Sequence, residues 1–96
     1  MIRISYDPIK SERNARERGL PFDRVYHFDF DRAVIREDKR FAYPERRLIA
    51  TGFVEVRLHV LCYTPTADGI RVISFRKANA REIRTYEREA SGASDR

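Results

Sequence analysis

A single cysteine, Cys62, rules out an internal disulfide in this chain of 96 residues. Flanked by Leu61 and Tyr63, it reads as a small buried hydrophobe rather than a reactive thiol. His27 and His59 stand far apart without ligand spacing, so with one thiol they make no zinc site. There is no Gly-rich phosphate loop, no Ser-His-Asp pattern and no acidic metal cluster. No cofactor or metal is expected. No apolar run is long enough to cross a bilayer, and Met1-Ile2-Arg3 leads directly into strand-like sequence. Neither a membrane span nor a signal peptide is therefore expected, and the cytoplasm is the simplest compartment.

Charge is abundant instead. Charged residues make up 36% of the chain, the net charge is +5, and of twenty basic residues seventeen are arginine. Genomic base composition can produce such a bias, yet the basic balance favours a polyanionic partner. A hydrophobic share of 42% suits one globular domain, whose thin core removes roughly 60–65% of the unfolded surface from water.

Ile2, Ile4 and Tyr6 alternate with Arg3 and Ser5 and predict a strand. Asp7 is an N-cap with Pro8 at the first helical position, and the helix runs to about Arg18 before Gly19 closes it. Only Ile9 and Ala15 give that helix an apolar stripe. Phe22, Val25, Tyr26 and Phe28 recur at near-helical spacing and predict a short second helix. Strands follow over 33–37, 45–53 and 57–64, with a polar loop over 38–44 and a tight connection at Val54-Glu55. Gly52 marks a bulge or a close approach. The Asp68-Gly69 turn leads into a strand over 70–76. Asn79 at the N-cap and Glu82 three residues on form a capping box for the last helix, with Ile83, Tyr86 and Ala90 inward. The order predicts an α+β domain over 1–90: a mainly antiparallel four- to five-stranded sheet packed with two N-terminal helices and one C-terminal helix. Residues 91–96 read as a disordered tail.

The segment 70–87 carries the densest signal. Its strand alternates Ile70, Val72 and Ser74 against Arg71, Ile73 and Phe75, then meets the helix at a corner holding Arg76, Lys77 and Arg81. Planar guanidinium groups on rigid elements suit phosphate, and arginine is a poor proton shuttle. Arg71, Arg76, Lys77 and Arg81 are therefore candidates for contact with a nucleic-acid backbone, and Tyr86 reads as core with its hydroxyl at the edge of a site. Lys10, Asn14 and Arg18, spaced by four, share one helix face and could line a strand, although charged helix faces are more often just solvated. Glu45 and Arg47 would share one side of a strand and Arg46 the other. An ion pair is the commoner outcome there. Glu45 could instead be a general base, since cleavage of RNA by its own 2′-hydroxyl needs a proton acceptor.

These residues add up to a resemblance. YDPIKSERNARERGLPF (Tyr6 to Phe22) resembles the opening of the BrnT family of toxins through Asp7, Lys10, Asn14, Gly19 and Phe22. YPERRLIATG (Tyr43 to Gly52) is similar to its Glu-x-Arg strand through Glu45, Arg47 and Gly52, and IRVISFRKANAREIRTYE to its arginine-rich strand, Arg-Lys-Ala turn and Arg-Glu helix ending in tyrosine. The resemblance spans about Ile4 to Glu87. It implies a RelE-like fold and a small bacterial ribonuclease acting without metal, neutralised by a BrnA-type ribbon-helix-helix antitoxin, and reaching operator DNA only through that antitoxin. In this reading Glu45, Arg47, Arg76 and Arg18 are the catalytic candidates, while Lys10, Asn14, Arg71, Lys77 and Arg81 bind RNA. One departure bears on rate rather than fold: the family commonly has Lys-His-Gly where this chain has Glu17-Arg18-Gly19. Arg18 suits phosphate binding, not proton transfer. The alternative is a weak or inactive homologue that serves as an antitoxin-binding co-repressor.

Overall fold

The structure, a computed structural model, describes residues 2–92. One sheet holds five strands, β1 (Arg3–Ser5), β2 (Val34–Glu37), β3 (Leu48–Val54), β4 (Arg57–Pro65) and β5 (Gly69–Lys77), in the spatial order β1-β5-β4-β3-β2. β2 to β5 form an antiparallel meander, joined by the loop over 38–47 and then by two short turns, and β1 pairs with β5 in parallel. The expected α+β class with a mainly antiparallel sheet is present. Two α-helices, α1 (Pro8–Arg18) and α2 (Ala80–Gly92), and a 3-10 helix over Phe22–His27 complete it. Among the described residues no helix is long and apolar enough to cross a membrane. Ser91 and Gly92 close α2, and the rest of the tail expected over 91–96 lies outside the described residues.

The Asp7 carboxylate accepts the Ile9 N–H at 2.9 Å, and Gly19 takes φ 65° to end α1. The anticipated inward stripe does not form: Ile9 is 74% exposed, and Ser11 is the buried residue of α1, its Oγ accepting the Phe22 N–H at 2.8 Å. α1 is held by polar contacts. The expected short second helix forms as a 3-10 helix. Pro21, at its N-cap, supplies no side-chain hydrogen bond, and its aromatic and β-branched residues are indifferent α formers. Phe22, Val25 and Phe28 nevertheless enter the core with Ala50, Leu61, Tyr63, Ile70, Val72 and Phe75 on one face of the sheet. Gly52 marks a close approach, because a Cβ there would lie 2.7 Å from the Phe28 ring.

The other face is covered at one end only, where Ile83 and Tyr86 of α2 pack over Val34, Phe53, Leu58 and Val60. Ala90, expected in that stripe, is exposed. β5 departs from its predicted alternation. Cys62 pairs with Ser74 but Tyr63 pairs with Val72, so Ile73 is an extra residue bulged out of the ladder. Ile70, Val72 and Phe75 therefore share the buried face, and Arg71, Ser74 and Arg76 share the other. The strand predicted from Glu45 begins at Leu48 instead. Residues 38–47 form a loop anchored by buried Asp38, whose carboxylate takes two bonds of 2.8 Å from Arg40 and whose N–H reaches Arg47 O at 2.8 Å.

Candidate nucleic-acid interface

The uncovered part of the sheet is a shallow basic surface. Beside α2 lies a cleft of about 350 Å³ whose floor is Ile49, Val60, Cys62 and Ser74 and whose rim carries Arg36, Arg40, Arg76 and Arg81. A second concavity is lined by Asp7, Lys10, Glu45, Arg47, Thr64 and Arg71. A third, between α1 and β5, is lined by Lys10, Asn14 and Arg18 with Ser74. Thr64 pairs with Arg71 and Val60 with Arg76. Four steps along β4 thus separate the two arginine rows, a spacing of about 13 Å.

The capping box forms as predicted: Glu82 N–H donates to Asn79 Oδ1 at 2.8 Å and Asn79 N–H to Glu82 Oε1 at 2.9 Å. The same carboxylate receives two bonds of 2.8 Å from the Arg76 guanidinium. That fork, with the Asn79 N–H, holds the Glu82 carboxyl down to about 2 and pushes the Arg76 pKa up. Arg76 is thereby fixed at the strand–helix corner with its side chain 39% exposed.

Arg47 is held from two directions. Its Nε donates to Glu45 Oε2 at 3.0 Å, and its guanidinium carbon lies 4.0 Å from the Tyr43 ring centroid. Arg71, by contrast, is exposed, and its side chain makes no hydrogen bond or ion pair among the described residues. Lys10 Nζ donates to Ile73 O at 2.8 Å, closing the carbonyl of the bulged residue. Asn14 Nδ2 donates to Phe75 O and to Leu20 O, both at 2.8 Å. Beyond the short β1, then, α1 seals the open edge of β5 with side chains.

The candidates are not all brought together. Glu45, Arg47, Arg71 and Lys10 share one concavity, Arg76 and Arg81 the cleft beside α2, and Arg18 the groove along α1. Lys77 pairs with buried His59 and so sits on the side of β5 opposite Arg76. Tyr86 is buried, its hydroxyl donating to Arg32 O at 2.8 Å. His59 is buried against Phe75 with Nδ1 2.8 Å from Arg57 O, and burial lowers its pKa. Burial also raises the Cys62 thiol. Sequence reading missed Arg36 and Arg40, which reach the cleft from β2 and the following loop; the pairing of Arg36 with Ile49 needed the fold to be seen. Among the described residues no group of three or more His, Cys, Asp or Glu is placed to hold a metal.

Comparison with known proteins adds one finding. A family model described as the ribonuclease toxin BrnT of type II toxin-antitoxin systems matches residues 6–82. No curated protein and no solved structure matches the chain.

Proposed function

The chain belongs to the BrnT family of ribonuclease toxins of type II toxin-antitoxin systems, and from that premise we propose that it is a metal-independent endoribonuclease whose RNA lies across the open sheet face. The supporting observation is the gathering of Arg36, Arg47, Arg71 and Arg76 on that one face, which the bulge at Ile73 makes possible. Phosphate contacts position a strand and account for most of its affinity.

In this reading Glu45 takes the proton of a ribose 2′-hydroxyl. The 2′-oxygen forms a bond to phosphorus, the bond from phosphorus to the 5′-oxygen breaks, and that oxygen leaves on the downstream strand, taking a proton from water to become a hydroxyl. Arg47 and Arg71 offset the charge that grows on the phosphorane oxygens. Arg76, Arg36 and Arg81 hold the strand further along, and Lys10, Asn14 and Arg18 flank it from α1. A RelE-like fold, a cytoplasmic setting, a BrnA-type antitoxin partner and operator binding through that partner belong to the same proposal.

Arg18 in place of the family's histidine favours a second reading, a co-repressor that docks an antitoxin without cutting RNA. Induction of the protein alone in bacterial cells separates the two. Growth arrest with loss of intact RNA is expected, and normal growth at high expression would favour the co-repressor.

A further inference from the structure

Thr64 Oγ1 is the one buried side-chain polar atom without a hydrogen-bond partner among the described residues. A hydroxyl withdrawn from water with nothing to bond costs roughly 1–3 kcal/mol, so such a group calls for an explanation. Its surroundings supply one. Thr64 pairs with Arg71 of β5, and on its other side Leu48 pairs with Tyr63, which sets Arg47 beside Thr64. Arg47, in the loop just before β3, Thr64 of β4 and Arg71 of β5 form a row about 10 Å from end to end. All three line one concavity with Lys10, whose ammonium is already fixed on Ile73 O.

We propose that Thr64 is a phosphate ligand: its hydroxyl donates to a non-bridging oxygen of an RNA phosphodiester held between Arg47 and Arg71. The three donors differ in readiness. Arg47 is fixed by Glu45 and Tyr43, the Arg71 side chain has no partner among the described residues, and the Thr64 oxygen is shielded from solvent in the free protein. A phosphate reaches that oxygen only when a neighbouring side chain moves, and the unpaired Arg71 is free to do so. Binding then satisfies the hydroxyl and Arg71 together. A neutral donor beside two cations adds direction to the site, because a phosphate oxygen must meet Oγ1 within hydrogen-bond reach. The two carboxylates that also line the concavity, Glu45 and Asp7, are engaged by Arg47 and by the α1 N-terminus.

The proposal rests on the RNA reading above, and its test separates the two. Fluorescence anisotropy with a 2′-O-methyl octanucleotide, which cannot be cut, measures affinity for the unaltered protein, Thr64→Val and Thr64→Ser. Thr64→Val is expected to bind five- to tenfold more weakly, with an unchanged or higher melting temperature, and Thr64→Ser to restore affinity. Equal affinity for Thr64→Val, or a melting temperature that falls by several degrees, would overturn the assignment while leaving the RNA reading in place. Should the unaltered protein bind no strand, the RNA reading fails. Inorganic phosphate followed by amide shifts then decides: a shift at Thr64 that Thr64→Val abolishes keeps the anion site, and no shift removes it.

Discussion

The Arg76 guanidinium and the Glu82 carboxylate close a two-bond fork, each bond 2.8 Å, from the end of β5 to the first turn of α2. The same carboxylate caps α2 at Asn79, so one side chain ties the sheet to the helix that covers it. A folded pKa of about 2 against an ordinary 4.5 means that this contribution is complete above pH 4.5 and is lost as pH falls toward 2. With Arg76 39% exposed, solvent screening limits it to about 1–2 kcal/mol. Glu82→Gln keeps the capping geometry and removes the charge. Urea melts between pH 2 and pH 7 should show it less stable at neutral pH and flatter on the acid limb than the unaltered protein. An unchanged acid limb would mean that the fork contributes nothing.

Arg76→Ala should weaken RNA binding and slow cleavage at least tenfold, at a stability cost of about 1 kcal/mol. Circular dichroism and growth on induction measure the two effects. Full toxicity would remove Arg76 from the site, and an unfolded variant would make it a purely structural residue.

Lys10 and Asn14 hold β5 carbonyls, which gives them an effect on stability separate from any contact with RNA. Asn14→Ala leaves the carbonyls of Leu20 and Phe75 without this donor and should cost about 1–3 kcal/mol. Chemical denaturation in the absence of RNA reads this directly. A variant as stable as its parent would return Asn14 to the RNA-binding set alone.

Affinity for single-stranded RNA should fall steeply with salt. Neutralisation of four phosphates, one for each of Arg36, Arg47, Arg71 and Arg76, sets a slope of about −3 in log K against log salt. Anisotropy titrations at several salt concentrations give the slope, and a flat line would discard the phosphate-binding face.

Cleavage should persist in EDTA, yield 2′,3′-cyclic phosphate ends and fail on an all-deoxy strand, because the nucleophile proposed is the internal 2′-hydroxyl and the positive charge comes from arginine. Activity lost to EDTA and restored by magnesium would send the search to acidic side chains. Asp29 and Asp38 would first have to leave Arg32 and Arg40.

Signals that act within a few residues were legible in the chain. Asp7-Pro8 and Gly19 bound α1, and Asn79 with Glu82 opens α2, because caps are local chemistry. The meander was legible from its turns, whereas the parallel pairing of β1 with β5 depends on a partner more than sixty residues away. Helical spacing at Phe22–His27 did not distinguish an α-helix from a 3-10 helix, since both place Phe22 and Val25 on one side. Glu45 and Arg47 do pair, but in a loop anchored by Asp38, not on a strand. In the arginine-rich segment the facing was misread, and Lys77 with it, because a bulge has no marker in composition. Thr64 gave no signal at all: an unpartnered oxygen is a property of packing.

Arg71 and Arg76 are five positions apart, an odd interval, and in an uninterrupted strand odd intervals put side chains on opposite sides. Ile73 changes the parity. Counted along the ladder the two arginines are four steps apart, an even number, and both face the same way. A related chain lacking a residue here, with its arginines one position closer, would present the same surface. Aligning the two by residue number would set an arginine against a neighbour and hide the match, whereas counting pairs along β4 would recover it.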